Sequence, residues 1–205
     1  MEFIQFGRRN SDLLLRALSE HVQMVFTAVA LSVLLAGLIC VAAMYSRRFG
    51  AIATYLFSAV YSIPSIALFA LMIPLLGLGR STAVTVLVLY NQFVLLRNFI
   101  AGLNGVDPAA IEAAKGMGMT AAQIIFKIRV PLSLKPIFVG IRLALVSTIA
   151  ISIIAAFIGA GGIGLLITIG LETGNNNRVL WGVVLSVGLG IVASAALRLA
   201  EKRLG

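Results

Sequence analysis

Long apolar stretches alternate with short polar ones along the chain, and the apolar stretches outlast anything the core of a soluble domain needs. Five read as membrane spans. They run from about Val22 to Tyr45 (closed by Arg47 and Arg48), Ala51 to Leu76, Thr82 to Leu103, Ile137 to Phe157, and Val179 to Leu199. Each is near the roughly 20 residues with which an α-helix crosses the hydrocarbon core. Leu165 to Leu171 is apolar but too short to cross, which predicts a re-entrant or interfacial piece packed partway into the bundle. The first residues set Arg8, Arg9 and Arg16 among Leu13, Leu14, Leu15 and Leu18. They lack the apolar core and cleavage site of a signal peptide, so residues 1–21 are expected to form an amphipathic interfacial segment. The fold class is therefore an all-α integral membrane protein, with one transmembrane domain over 22–205 and a polar loop at about 105–135.

That loop carries its own helix signals. Asp107 is placed to N-cap a short helix, and Pro108 takes the first helical position, where a missing N–H costs nothing. Ala109 to Lys115 favour helix, and Gly116 or Gly118 can end it in a left-handed turn. Thr120 followed by Gln123 makes a capping box ahead of Ile124 and Ile125. The pattern predicts a helical hook projecting between two spans.

Composition and charge refine this picture. Of 205 residues, 60% are hydrophobic and 11% charged, which places the chain in lipid. A net charge of +9 would suggest nucleic acid in a soluble protein. Here, basic loops facing an anionic leaflet explain it, and no nucleic-acid partner is expected. With the N-terminus outside, ten basic residues fall inside: Arg47, Arg48, Lys115, Lys127, Arg129, Lys135, Arg142, Arg198, Lys202 and Arg203. Five fall outside: Arg8, Arg9, Arg16, Arg80 and Arg178. The split predicts a multi-pass cell-membrane protein with N-terminus out, C-terminus in, and the hook in the cytoplasm.

Chemistry-bearing residues are sparse. Cys40 stands alone in an apolar run and His21 alone at a membrane boundary, so neither a metal site nor a catalytic set is expected. Gly159-Ala160-Gly161-Gly162-Ile163-Gly164 resembles a phosphate-cradling loop only superficially, because it follows a membrane span and no Gly-Lys dipeptide occurs in the chain. No nucleotide-binding or enzymatic role follows. Pro64 and Pro74 interrupt the second span, either as packing kinks or as bends that open a solvent-lined path. Arg97 near the inner end of the third span either snorkels or serves a gate. Tyr55, Phe57, Tyr61, Phe69, Tyr90, Phe93 and Phe157 are available to pack or to line a cavity, where aromatic faces attract quaternary ammonium. Trp181 and Tyr45 suit an interfacial belt, and Asn175 to Asn177 an outer polar loop. Candidates for the translocation path or gate are Tyr61, Pro64, Tyr90, Arg97, Gly161 and Gly162.

The hook also carries a resemblance. Glu112-Ala113-Ala114, Gly118 six positions after the Glu, then Ile128 and Pro131, with Val130 where Leu is usual, resembles the signature loop of ABC importer permeases. Ile63 to Leu68, Met72 to Gly77, Leu96-Arg97-Asn98 and Val106-Asp107-Pro108 are similar to the osmoprotectant branch of that family. The chain departs from that branch at Asn91-Gln92-Phe93-Val94, where a Pro is common. The resemblance implies a methionine-importer-like permease fold within a type I importer. Such an importer has a second permease chain, identical or paralogous, a cytoplasmic ABC ATPase dimer and an external solute-binding protein. ATP and Mg would sit on the ATPase, with no cofactor in this chain. It further implies that Asp107, Glu112, Ala113, Ala114, Gly118, Ile128 and Pro131 couple the permease to the ATPase. The implied solute is a small osmoprotectant such as glycine betaine, carnitine or choline, with another amino-acid-like solute as the alternative. A secondary transporter would normally carry ionisable groups deep in its spans, and these spans are nearly free of them.

Overall fold

The computed structural model describes residues 2–204, and among them four helices are long and apolar enough to cross a membrane. In chain order the elements are α1 (Glu2–Arg9), α2 (Ser11–Tyr45), α3 (Arg47–Ser62), α4 (Ser65–Leu76), α5 (Arg80–Asn104), α6 (Pro108–Gly116) and α7 (Ala121–Ile124). A π turn at Ile125–Arg129 follows, then α8 (Val130–Leu132), α9 (Leu134–Ile154), α10 (Ile163–Glu172) and α11 (Asn176–Leu204). The crossings are α2, α5, α9 and α11. The pair α3 and α4, which turn through 102° at Ile63 and Pro64, makes a fifth when the two are counted as one broken span. Pro64 lacks an amide hydrogen and disfavours the helical region in the residue before it, so the helix ends there. Pro74, by contrast, lies inside α4 and does not interrupt it. The predicted pair of interruptions is a single break.

The predicted boundary between residues 21 and 22 is likewise not a break. α2 passes through it as one 35-residue helix, because no Gly or Pro occurs between Ser11 and Ala36. At 1.5 Å per residue it is about 52 Å long, well over the ~30 Å of the hydrocarbon core. Its first turns, with Asp12, Arg16 and Glu20, therefore project beyond the span. α1 folds back onto α11, where Phe3 stacks on Trp181 at 4.7 Å and its carbonyl accepts from the indole N–H at 2.9 Å. Trp181 thus serves as an anchor for the N-terminal helix.

α5 lies at the centre of the bundle, between α2 and α9. On α2 the buried residues Ala28, Ser32, Ala36 and Cys40 recur every fourth position, and small side chains at that spacing let helix backbones approach closely in lipid. Two apolar clusters flank the middle of α5. One holds Met24, Phe69, Val86 and Leu87, and the other holds Leu95, Leu96, Phe99 and Ala144. A polar belt separates them. The Asn91 side-chain amide donates to Ser32 Oγ at 3.1 Å and to Thr148 Oγ1 at 2.9 Å, and Gln92 donates to the Ser32 carbonyl at 3.2 Å. The belt joins α2, α5 and α9 at one level and so fixes their axial register.

Thr148→Val removes one partner of a fully buried amide while keeping side-chain volume. Unfolding measured by denaturant titration in micelles should show a loss of about 1 kcal/mol. A change at the exposed neighbour Ala150→Ser should be close to neutral.

Candidate functional site: a capped hook and an aromatic cleft

The hook is built from local chemistry. Asp107 Oδ1 accepts from the Ala109 N–H at 2.8 Å, and Pro108 opens α6. After α6 the chain turns at Gly118, whose φ of +78° lies in the left-handed region that a Cβ disfavours by about 1–2 kcal/mol. The capping box of α7 is complete. The Thr120 N–H donates to Gln123 Oε1 at 2.8 Å, and the Gln123 N–H donates to Thr120 Oγ1 at 3.3 Å. The hook's return is tied down by longer-range bonds. Arg129 donates to the Leu103 carbonyl at 3.0 Å, and the buried Ser133 hydroxyl donates to the Gly102 carbonyl at 2.8 Å. Both acceptors belong to the last turn of α5, where carbonyls lack full helical pairing; Gly102 also accepts from the Gly105 N–H at 3.1 Å. The hook is thereby fastened to the central helix.

Its surface is divided. Asp107, Glu112, Ala113, Gly118 and Pro131 are exposed, Ile128 is half-buried, and Ala114 is fully buried. Of the two alanines, only Ala113 is open to a partner, while Ala114 packs inside the hook. Met117, one turn after Ala113 on the same face of the chain, and Phe126 are large, exposed apolar side chains at the tip of an otherwise polar projection. Apolar surface of this kind outside the spans marks a docking face. Glu112 lies beside it.

The break at Pro64 organises the second feature. It leaves the Ile63 carbonyl without a helical donor, and the Tyr90 hydroxyl of α5 donates to it. Tyr61 then packs edge-on against Tyr90 at 5.6 Å and tilted against Phe93 at 4.9 Å. Tyr61, Pro64 and Tyr90 are therefore brought together, as one aromatic corner between α3 and α5. Below the corner, toward the hook end, opens a cleft of about 760 Å³ lined by Arg47, Thr54, Tyr55, Ser58, Phe93 and Asn104, among others. Arg97 is exposed on α5, seven residues on from Tyr90 and so on the same face. The other predicted aromatics do not join this cleft. Phe69 is sealed in the core, Phe57 packs against the inner cluster, and Phe157 is exposed near the glycine-rich loop.

Gly161 and Gly162 are at the opposite end of the bundle. Both have positive φ (+78° and +77°), and Gly162 N-caps α10. The Gly162 N–H donates to Glu20 Oε2 at 3.1 Å, across 142 residues of sequence. A carboxylate at this position also meets the positive end of the α10 dipole. Beneath it His21 is fully buried with its Nε2 3.0 Å from Ser152 Oγ. The short apolar stretch from Leu165 to Leu171, predicted as a re-entrant or interfacial piece, falls within α10, which docks on α2 through this contact. Glu20 and Ser152, which the sequence pattern did not single out, meet here with His21, which it read as standing alone. His21 and Ser152 are closed to solvent, so they hold the loop in place rather than perform chemistry. Among the described residues no group of His, Cys, Asp and Glu is arranged to hold a metal.

Comparison with known proteins gives a consistent result. A family model described as binding-protein-dependent transport system inner membrane component matches residues 28–205. The choline transport system permease protein OpuBB of Bacillus subtilis is 33% identical, over 98% of this chain and 93% of its own length. The carnitine transport permease protein OpuCB of Listeria monocytogenes is 34% identical, over 98% of this chain and 92% of its own. An osmoprotectant import permease protein of Salmonella typhimurium, OsmW, is 34% identical over 94% of this chain and 92% of its own. Among solved structures, an inward-facing MetNI methionine ABC transporter aligns with a TM-score of 0.85 at 23% identity, covering 96% of this chain and 98% of that one. An amino acid ABC transporter aligns at 0.82 and 20%, covering 99% of each chain. These structural likenesses concern the fold.

Gly162→Ala should destabilise the chain by about 1–2 kcal/mol or more, because φ is +77° and the new Cβ would lie 3.0 Å from His21 Nδ1. Gly37→Ala, whose Cβ would meet nothing within 4 Å, should be neutral or slightly stabilising. Parallel thermal unfolding of the two variants in micelles reads the contrast, and equal effects would remove the case for a strained loop.

Proposed function

The chain belongs to the family of binding-protein-dependent transport system inner membrane components, and on that premise we propose that it couples solute passage to a cytoplasmic ABC ATPase dimer through the hook at 107–131. The observation that carries this reading is the hook itself. It is capped at both helices, exposes Glu112 and Ala113 beside Met117 and Phe126, and is bonded through Arg129 and Ser133 to the helix that bears Tyr90, Phe93 and Arg97. In this reading Glu112 meets a basic group in a cleft of the ATPase, a charge-assisted contact. Ala113 allows close approach, and Gly118 sets the turn. Ala114, Ile128 and Pro131 keep the hook in shape. ATP and Mg bind to the ATPase. A second permease chain, identical or paralogous, completes the path, and an external solute-binding protein delivers the solute. The N-terminus lies outside and the hook inside, following the ten-to-five division of basic residues.

The solute we propose is a small osmoprotectant such as glycine betaine, carnitine or choline. Full-length relatives bearing choline, carnitine and osmoprotectant names support it. The grouping of Tyr61, Tyr90 and Phe93 beside an open cleft supports it independently, since aromatic faces attract quaternary ammonium. Pro64 shapes that corner. Arg97, on the same face of α5, and Gly161 and Gly162 at the far end serve as inner and outer gate elements.

Glu112→Lys and Gly118→Asp should each leave the permease inserted at normal level and abolish uptake, with ATPase either unassembled or hydrolysing without transport. Normal uptake by both variants beside an intact ATPase would remove the coupling assignment. Uptake of radiolabelled betaine, choline and carnitine, in a transport-deficient host supplied with the matched receptor, tests the solute. Carriage of an amino acid and of none of these three would replace it. Orientation is read by impermeant thiol labelling in a Cys40→Ala background. Cysteine at 80 or 176 should label in intact cells, and cysteine at 115 should not.

A further inference from the structure

α11 is the least buried of the crossings, yet its inner half does not present a featureless surface. Between α2, α9 and α11 runs an apolar groove of about 740 Å³, lined by Val29, Val33, Leu145, Ile149, Leu189 and Leu197 among others. Its residues on α2 extend from Val22, next to His21 at the far end of the bundle, to Leu34 at mid-depth, about 18 Å along the axis. The groove thus runs from the hook-side half on α11 past mid-depth along α2. The groove wall reaches Ile141 on α9 and Leu197 on α11. One residue further on each helix, at Arg142 and Arg198, begins a separate polar cup of about 460 Å³, formed by Lys135, Arg142, Arg198, Glu201 and Lys202. Glu201 is one helical turn after Leu197, so cup and groove share one stripe of α11. Within the cup Arg142 donates to Glu201 at 3.2 Å, both half-buried, which fixes the cup's floor. Lys135, Arg198 and Lys202 are exposed and have no carboxylate in the cup besides that one.

We propose that this cup and groove form a binding site for an anionic phospholipid of the leaflet on the hook's side, the phosphate in the cup and an acyl chain in the groove. Four cations against one carboxylate give the cup a net charge of +3, complementary to a phosphodiester. The cup stands at the membrane end of α9 and α11, at headgroup level, where each Lys or Arg attracts anionic lipid by about 1 kcal/mol, or about fivefold in affinity. The groove excludes a free phosphate as sufficient ligand, because it adds apolar contact only for a molecule that carries a chain. A zwitterionic lipid would fill the groove and leave the cup's charge unanswered. The site does not depend on the importer reading and would exist in this chain whatever the solute.

The test is native mass spectrometry of the full-length chain in micelles, titrated with phosphatidylglycerol, phosphatidylcholine of the same chains, and glycerol phosphate. Saturable retention of one phosphatidylglycerol per chain is expected, with weaker retention of phosphatidylcholine and none of glycerol phosphate. Arg198→Gln with Lys202→Gln should weaken phosphatidylglycerol about 25-fold and leave phosphatidylcholine unchanged. Ala193→Trp, which fills the groove from α11, should weaken both lipids. To separate groove filling from misfolding, Ala196→Leu serves as a milder filling of the same wall, checked by unchanged helicity. Equal binding of phosphatidylglycerol and phosphatidylcholine, or retention of glycerol phosphate alone, overturns the proposal. So does a dimer that dissociates in the groove variants with no change in lipid retention, which would make the groove a contact between copies of the chain.

Discussion

Inside a membrane a backbone N–H or C=O that leaves the helical ladder finds no water, and the organisation of this protein follows from that constraint. At three places where a helix breaks or ends, a side chain from elsewhere in the chain answers the freed backbone group. Tyr90 donates to the Ile63 carbonyl freed by Pro64. Arg129 and Ser133 donate to Leu103 and Gly102 at the end of α5. Glu20 accepts from Gly162 at the start of α10. These four bonds fall at the three places where the chain carries its candidate functional residues. Irregular backbone is needed to make a cleft, a hook or a gate, and each irregularity obliges a remote residue to hold it.

The same constraint explains why α5 is central. It supplies Tyr90 to one break and its own terminal carbonyls to the hook, and through Asn91 and Gln92 it meets α2 and α9 at mid-depth. The small residues Ala28, Ser32, Ala36 and Cys40 let α2 sit close enough for that belt to form. α11, in contrast, is held mainly by its contacts with α9 and α10 and by Trp181, and leaves much of its surface to lipid.

What could be read in the sequence divides along the range of the interactions. The caps of the hook were legible because Asp107 acts on a residue two positions away and Thr120 on one three away. The four unbroken crossings were legible because hydropathy and helix length are additive over neighbours, and the second predicted span was legible as apolar but not as a pair bent by as much as 102°. The bend at Pro64 was legible, but Pro74 carries the same signal without breaking α4, since one missing bond near a helix end is easily absorbed. The boundary placed at residue 21 reflected the change in polarity, and the helix ignores polarity where no Gly or Pro intervenes. The partners of Ile63, Gly162 and His21 were not legible, being 27, 142 and 131 residues away. Nor could the sequence separate Ala113 from Ala114, since only the hook's packing decides which one faces outward.

The fastening of the hook has a mechanical consequence. Arg129 and Ser133 hold adjacent carbonyls of one helix, so the joint has two fixed points rather than one and resists both sliding and rotation. A single tether would let a push on the hook dissipate as swivel. With two, a displacement of the hook under the proposed coupling would be passed to α5 at both points. Tyr90, Phe93 and Arg97, which share one face of that helix, would then move as one body, with Phe93 at the wall of the cleft.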